Sequence, residues 1–206
     1  MIIGAHYYPW YKDNWGHKTV RGLVNQTPSL GWYNNKLSLP LEDKAKIFIT
    51  HCEWCKKYGI DFLVLSYNGI ELIPYLDIAE AFDIKITIHY ETLMRTKTEK
   101  LSETDCPKLI TDFNNIKYLF KHKSWLKIED KPVISYYVSR QIEKQALSVF
   151  KKIRECYPTP IEIWGDEIWW NEPDHERIQT FDAIFAYNMY ISKNQPMVKG
   201  LSLIHI

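Results

Sequence analysis

The sequence predicts an α/β fold built on a parallel sheet. More specifically, it predicts an incomplete (β/α)8 barrel of the TIM type, with about six of eight βα units. Three observations lead there. Short apolar runs rich in β-branched residues alternate with longer amphipathic stretches, the pattern of strands covered on both faces by helices. Six of these runs each end in Tyr, Trp, His, Asn or acidic residues. A barrel gathers functional groups at the C-terminal ends of all its strands, whereas an open sheet concentrates them at one switch point. Finally, no G-x-G-x-x-G follows the first run and no P-loop occurs, so a nucleotide-binding open sheet lacks its phosphate cradle.

The elements follow in order. The first strand leads into His6-Tyr7-Tyr8-Pro9-Trp10-Tyr11, and a long polar, Gly-containing loop runs from about 12 to 40. A helix is expected over 41–58. Glu42 and Asp43 stand near its start, Lys56 and Lys57 near its end, and Gly59 follows as a stop; those charges complement the helix dipole and Gly suits the C-cap. Ala45, Phe48, Cys52 and Cys55 share one face at helical spacing. A strand is expected at about 61–66, a short helix over 72–82, a strand at 85–90, and a polar loop over 92–102. A helix over 107–121 carries Leu109, Ile110, Phe113, Ile116 and Phe120, and residues 125–131 read as a short segment and turn. The fourth strand starts near Pro132, where proline is tolerated. An amphipathic helix over 142–156 and strands at about 160–164 and 182–187 complete the series. Residues 1–195 form the expected partial barrel domain, and 196–206 a non-native or frayed tail.

Composition bounds the partners. The chain has 206 residues, enough for one sizeable core, and 26 basic against 25 acidic residues give a net charge of +1. That balance gives nucleic acid or an anionic membrane no electrostatic reason to bind. Neither a signal-like leader nor a run of about 20 apolar residues is present, so as written the chain reads as soluble and cytoplasmic. The Cys52–Cys55 C-x-x-C lies inside a helix with no second pair to complete a zinc set, so core or helix-face thiols are expected. The seven histidines show no metalloenzyme spacing. No metal and no cofactor is expected.

Five segments in register resemble glycoside hydrolase family 99, the endo-α-mannosidases and endo-α-mannanases. They are Tyr7-Tyr8-Pro9-Trp10-Tyr11, Pro28-Ser29-Leu30-Gly31-Trp32-Tyr33, Gly59-Ile60-Asp61-Phe62, the strand ending in His89-Tyr90-Glu91, and Phe181 to Tyr190. The same strands resemble, more distantly, WbsX-type proteins of polysaccharide gene clusters. The first resemblance implies a barrel that cleaves α-mannosides with retention, through attack of the sugar 2-hydroxyl on its own anomeric carbon. It also implies a catalytic Glu-x-x-Glu after a strand beyond the sixth. No Glu-x-x-Glu occurs in the chain, which ends 16 residues after Tyr190. The expectation is therefore a fragment that holds substrate and lacks the catalytic pair, inactive by itself. Two alternatives stay open: a WbsX-like glycosyltransferase or accessory protein of surface-polysaccharide assembly, and a non-catalytic carbohydrate-binding remnant.

The expected partner is an oligosaccharide or polysaccharide. Its candidate contacts are Tyr8, Trp10, His17, Tyr67, His89, Glu91, Tyr137, Asp166, Tyr187 and Asn188. Rings with polar edges can stack on a sugar and bond its hydroxyls. Glu91 reads as an acceptor for hydroxyls or as a solvated loop carboxylate. Strand alternation sends Tyr7 and Tyr8 to opposite sides, and at most one of Asp166 and Glu167 toward the mouth.

Overall fold

A computed structural model describes residues 2–9, 41–98, 100–167, 174–185 and 204–205. Six parallel strands form its centre: β1 (Gly4–Tyr7), β2 (Phe62–Tyr67), β3 (Lys85–Tyr90), β5 (Lys131–Tyr136), β6 (Glu162–Asp166) and β7 (Ala183–Phe185), paired in that order. A two-residue strand, β4 (Lys127–Ile128), makes a hairpin with β5, and β8 (Ile204–His205) adds antiparallel to β7. The helices are α1 (Leu41–Tyr58), α2 (Ile73–Ala81), α3 (Thr92–Thr96), α4 (Cys106–Ile116), α5 (Ser148–Glu155) and α6 (His175–Ile178). This is the partial α/β barrel expected from the alternation of strands and helices.

Strand alternation divides the side chains into two sets. The outward set, including Leu65, Ile88, Ile134 and Ile163, meets Phe48, Leu76, Phe113 and Phe150 of the helices in the main core. The inward set includes Phe62, Val64, Val133, Trp164 and Ala183, which form a second cluster with Leu126. The Phe62 ring crosses the interior to within 6.5 Å of Trp164, and the His6 ring on β1 comes within 5.8 Å of Phe185 on β7. Inward groups of the first and sixth parallel strands therefore meet, so the sheet curls as a barrel wall does. At the bottom of that interior Phe62 lies over Gly4, where a Cβ would collide with its ring.

Strands β3 and β5 pair only at their C-terminal ends, His89 with Ser135 and Tyr90 with Tyr136. Lower down, the segment before β4 wedges between them. Ile86 N donates to the Ser124 carbonyl at 2.6 Å, and Leu126 N to the Ile86 carbonyl at 2.7 Å. The buried Trp125 indole donates to the Val133 carbonyl at 3.0 Å. Glu129 and Asp130 turn the hairpin with φ of 48° and 63°, the two-residue geometry that matches the twist of the strands.

Three expectations are corrected in detail. The 92–102 loop begins with a helical turn, α3, closed by Lys97 in the left-handed region. The 107–121 helix is α-helical only to Ile116, after two asparagines of weak helix propensity, and continues as a 3-10 helix over Lys117–Lys121. The 142–156 helix enters through a 3-10 turn, Lys144–Leu147, before α5. Its predicted face, Ala146, Val149, Phe150 and Ile153, is buried. Cys52 and Cys55 are also buried, on the inner face of α1. No described helix is long and apolar enough to cross a membrane.

Candidate functional site

The inward face changes character toward the C-terminal ends of the strands. Apolar Val64 gives way to Ser66 on β2, and Thr87 is followed by His89 on β3. Val133 is followed by Ser135 on β5, and Trp164 by Asp166 on β6. Ser66, His89, Ser135 and Asp166 are all buried. A buried polar group costs free energy unless it is bonded, and each of these has a partner close by: Ser66 bonds Glu91, His89 meets Ser135, and Asp166 accepts from the Val138 N–H.

Glu91, the first residue past β3, is only 5% exposed. Its Oε1 accepts a short hydrogen bond from the Ser66 hydroxyl. Burial raises the Glu91 carboxyl pKa; the Ser66 bond opposes that shift, and the negative charge of Asp166 adds to it.

His89 lies beside them. Ser135 Oγ donates to the Ile88 carbonyl at 3.1 Å and stands 3.0 Å from His89 Nδ1. The Ser135 hydroxyl thus lies between the Ile88 carbonyl and the His89 ring and holds the ring's orientation. Burial, with a smaller contribution from His6, lowers the His89 pKa to about 3, so the ring is neutral over the physiological range. The Tyr137 and His6 rings each meet His89 edge-on at 5.0 Å, and Phe185 lies at 5.6 Å.

Asp166 is fully buried at the tip of β6. Its Oδ2 accepts from the Val138 backbone N–H at 3.1 Å and stands 3.9 Å from Arg140 Nη1. Val138 adopts φ 47°, ψ 47°, a conformation a β-branched residue rarely takes and one that costs about 1–2 kcal/mol. The cost is offset locally. The turn directs its N–H at Asp166, and the next residue, Ser139, donates to Glu167 Oε1 at 2.7 Å. Arg177 Nε on α6 donates to the same oxygen at 2.8 Å. Asp166 therefore faces inward, while Glu167 joins the turn after β5 to α6.

The expected contacts separate accordingly. His89, Glu91, Tyr137 and Asp166 come together on the inward side. Tyr8 is half-buried just past β1, two residues on from the inward His6. Tyr7 is on the other side, bonded through its hydroxyl to His51 Nδ1 of α1 at 2.9 Å. Tyr67 is corrected: it points outward into the helix layer, 6.1 Å from the Tyr90 ring and beneath the Arg95 guanidinium. The inward residue beside it on β2 is Ser66. Trp10, His17, Tyr187 and Asn188 lie outside the described residues. Among the described residues no group of three or more His, Cys, Asp or Glu could hold a metal ion.

Two solved structures of glycoside hydrolase family 99 endo-α-mannosidase share this arrangement of strands and helices. The endo-α-mannosidase of Bacteroides thetaiotaomicron, in complex with bis-tris-propane, aligns over 90% of this chain and 58% of its own, with TM-score 0.65 and 18% identity. A second structure of the endo-α-mannosidase from the same organism aligns over 90% of this chain and 61% of its own, with TM-score 0.65 and 17% identity. The chain thus has a family 99-like fold and spans about three-fifths of the length of those enzymes. No family model and no curated protein matches the sequence.

Proposed function

We propose that this chain is the glycan-holding part of a family 99-like glycoside hydrolase acting on α-mannoside-type linkages. The observation that carries the reading is the inward cluster of Ser66, His89, Glu91, Tyr137 and Asp166 at successive strand ends. Two carboxylates and a neutral imidazole suit the hydroxyl groups of a sugar. The edges of Tyr137 and Phe185 offer apolar surface to its C–H faces. The family resemblance supplies the mannoside class and the mechanism: retention through the sugar 2-hydroxyl, assisted by an acid–base pair of glutamates that the Glu-x-x-Glu pattern does not supply among these residues.

Calorimetric titration with an α-linked mannose oligosaccharide tests the proposal. The expected result is saturable binding that weakens about 10- to 100-fold in Glu91→Gln, as loss of a hydrogen bond to a charged acceptor implies. Absence of saturable binding, or equal binding by the variant, contradicts it.

A further inference from the structure

Behind the mouth, on the outer face of the sheet, lies a further buried carboxylate. Asp112 of α4 has a side chain only 2% exposed. Its Oδ2 accepts from the Tyr90 hydroxyl at 2.7 Å and from Arg95 Nε at 2.9 Å. Its Oδ1 accepts from Arg95 Nη2 at 2.7 Å and Lys108 Nζ at 2.7 Å. The remaining guanidinium nitrogen, Nη1, donates to the Asn68 carbonyl at 2.9 Å. That approach requires glycine at position 69, where φ is 102° and a Cβ would collide with Nη1. Arg95 N also donates to the Glu91 carbonyl at 2.9 Å.

This network is placed by level as well as by partner. Lower outward positions of the same strands are filled by Leu65, Ile88 and Ile134. Polar groups enter the layer at the strand tips, level with the mouth. There, one carboxylate ties together the chain leaving β2 at Asn68, the last residue of β3 at Tyr90, and the first turn of α3. These are the backbones that carry Ser66 and Glu91. A bidentate guanidinium fork fixes direction as well as distance.

We propose that Asp112 and Arg95 are positioning residues for the mouth, holding the Glu91 carboxylate against Ser66 from the opposite face of the sheet. The device stands on its own geometry; its consequence for ligand affinity rests on the glycan reading of Glu91. The test uses the full chain and two readouts, the side-chain carboxyl ¹³C titration of Glu91 and affinity for an α-linked mannose oligosaccharide. In Arg95→Lys, which keeps the charge and loses the fork, Glu91 gains water. Its midpoint then moves about half a pH unit or more toward the ordinary glutamate value, and affinity falls. Tyr90→Phe removes a single hydroxyl and moves the midpoint the same way by less, covering the case in which Arg95→Lys fails to fold. Lys108→Met removes the outer partner of Asp112 and leaves Glu91 unmoved.

An unchanged Glu91 midpoint in folded Arg95→Lys and Tyr90→Phe overturns the proposal. So does a Lys108→Met shift as large as that of Arg95→Lys, which marks a general charge effect. Loss of the Glu91 signature in Arg95→Lys, in a chain whose wild type binds no mannoside, supports the positioning device and overturns the glycan reading instead.

Discussion

Lowering the pH should destabilise this fold through one buried ring. His89 is 1% exposed, and burial together with the neighbouring His6 lowers its pKa to about 3. In the unfolded chain a histidine titrates near 6.5. Between those values the unfolded state binds a proton that the folded state does not, so stability is greatest above pH 6.5 and is lost as pH falls toward 3. The slope approaches about 1.4 kcal/mol per pH unit, so passing from pH 7 to pH 5 removes about 2 kcal/mol from this ring alone. Glu91 works in the opposite direction: its raised pKa makes its ionisation a cost to the folded state, relieved on acidification. Comparison with His89→Gln, which cannot titrate, separates the two. Urea unfolding of both proteins at pH 7 and pH 5 should show the wild type losing about 2 kcal/mol more than the variant. Equal losses, or a His89 ring proton titrating near 6.5, would refute the burial argument.

Further outcomes follow from local packing. Gly165→Ala places a Cβ 2.6 Å from the Phe181 ring and should cost about 1–3 kcal/mol by overpacking, read as a lower denaturation midpoint. Glu129→Asn combined with Asp130→Gly suits the paired positive φ of the β4–β5 turn and should raise stability by about 1 kcal/mol. The Cys52 thiol, pushed up to about 12 by burial with a smaller effect of Cys55, should react with a disulfide reagent at pH 8 far more slowly than in the unfolded chain.

The alternation of strands and helices was legible because β2, β3, β5 and β6 are buried on both faces and the longer helices announce themselves by period or cap, whereas the short α3 and α6 carry no such period. The bounds 41–58 and 85–90 coincide with α1 and β3, where charged ends or a flanking Asp-Ile mark the limits. What the apolar runs conceal is their phase. Phe62-Leu63-Val64-Leu65 is apolar at every position, so nothing within it says which residues face inward, and Tyr67 looked as plausible a contact as its neighbour. The signal lay in the small polar residues. Ser66 and Ser135 sit inside otherwise apolar strands, where a hydroxyl needs a partner. Taking each as inward sends Tyr67 and Tyr136 outward. Asp112 is hidden for a related reason: a charged residue on an amphipathic helix ordinarily faces water, its i,i+4 pairing with Lys108 fits that exposed reading, and only the tertiary fold brings Tyr90 and Arg95 to it. The turn at Val138 carries no glycine to announce its left-handed backbone; contacts to Asp166 and Glu167, 28 residues further on, hold it.

The central claim is that the inward strand ends form one glycan-binding mouth. Chemical-shift mapping of the ¹⁵N- and ¹³C-labelled chain during titration with an α-linked mannose oligosaccharide tests it most directly. Saturable changes concentrated on Ser66, His89, Glu91, Tyr137 and Asp166, with outward Tyr67, Ile88 and Ile134 little affected, are the expected result. Changes confined to the helical exterior, or none at ligand concentrations in the millimolar range, would contradict it.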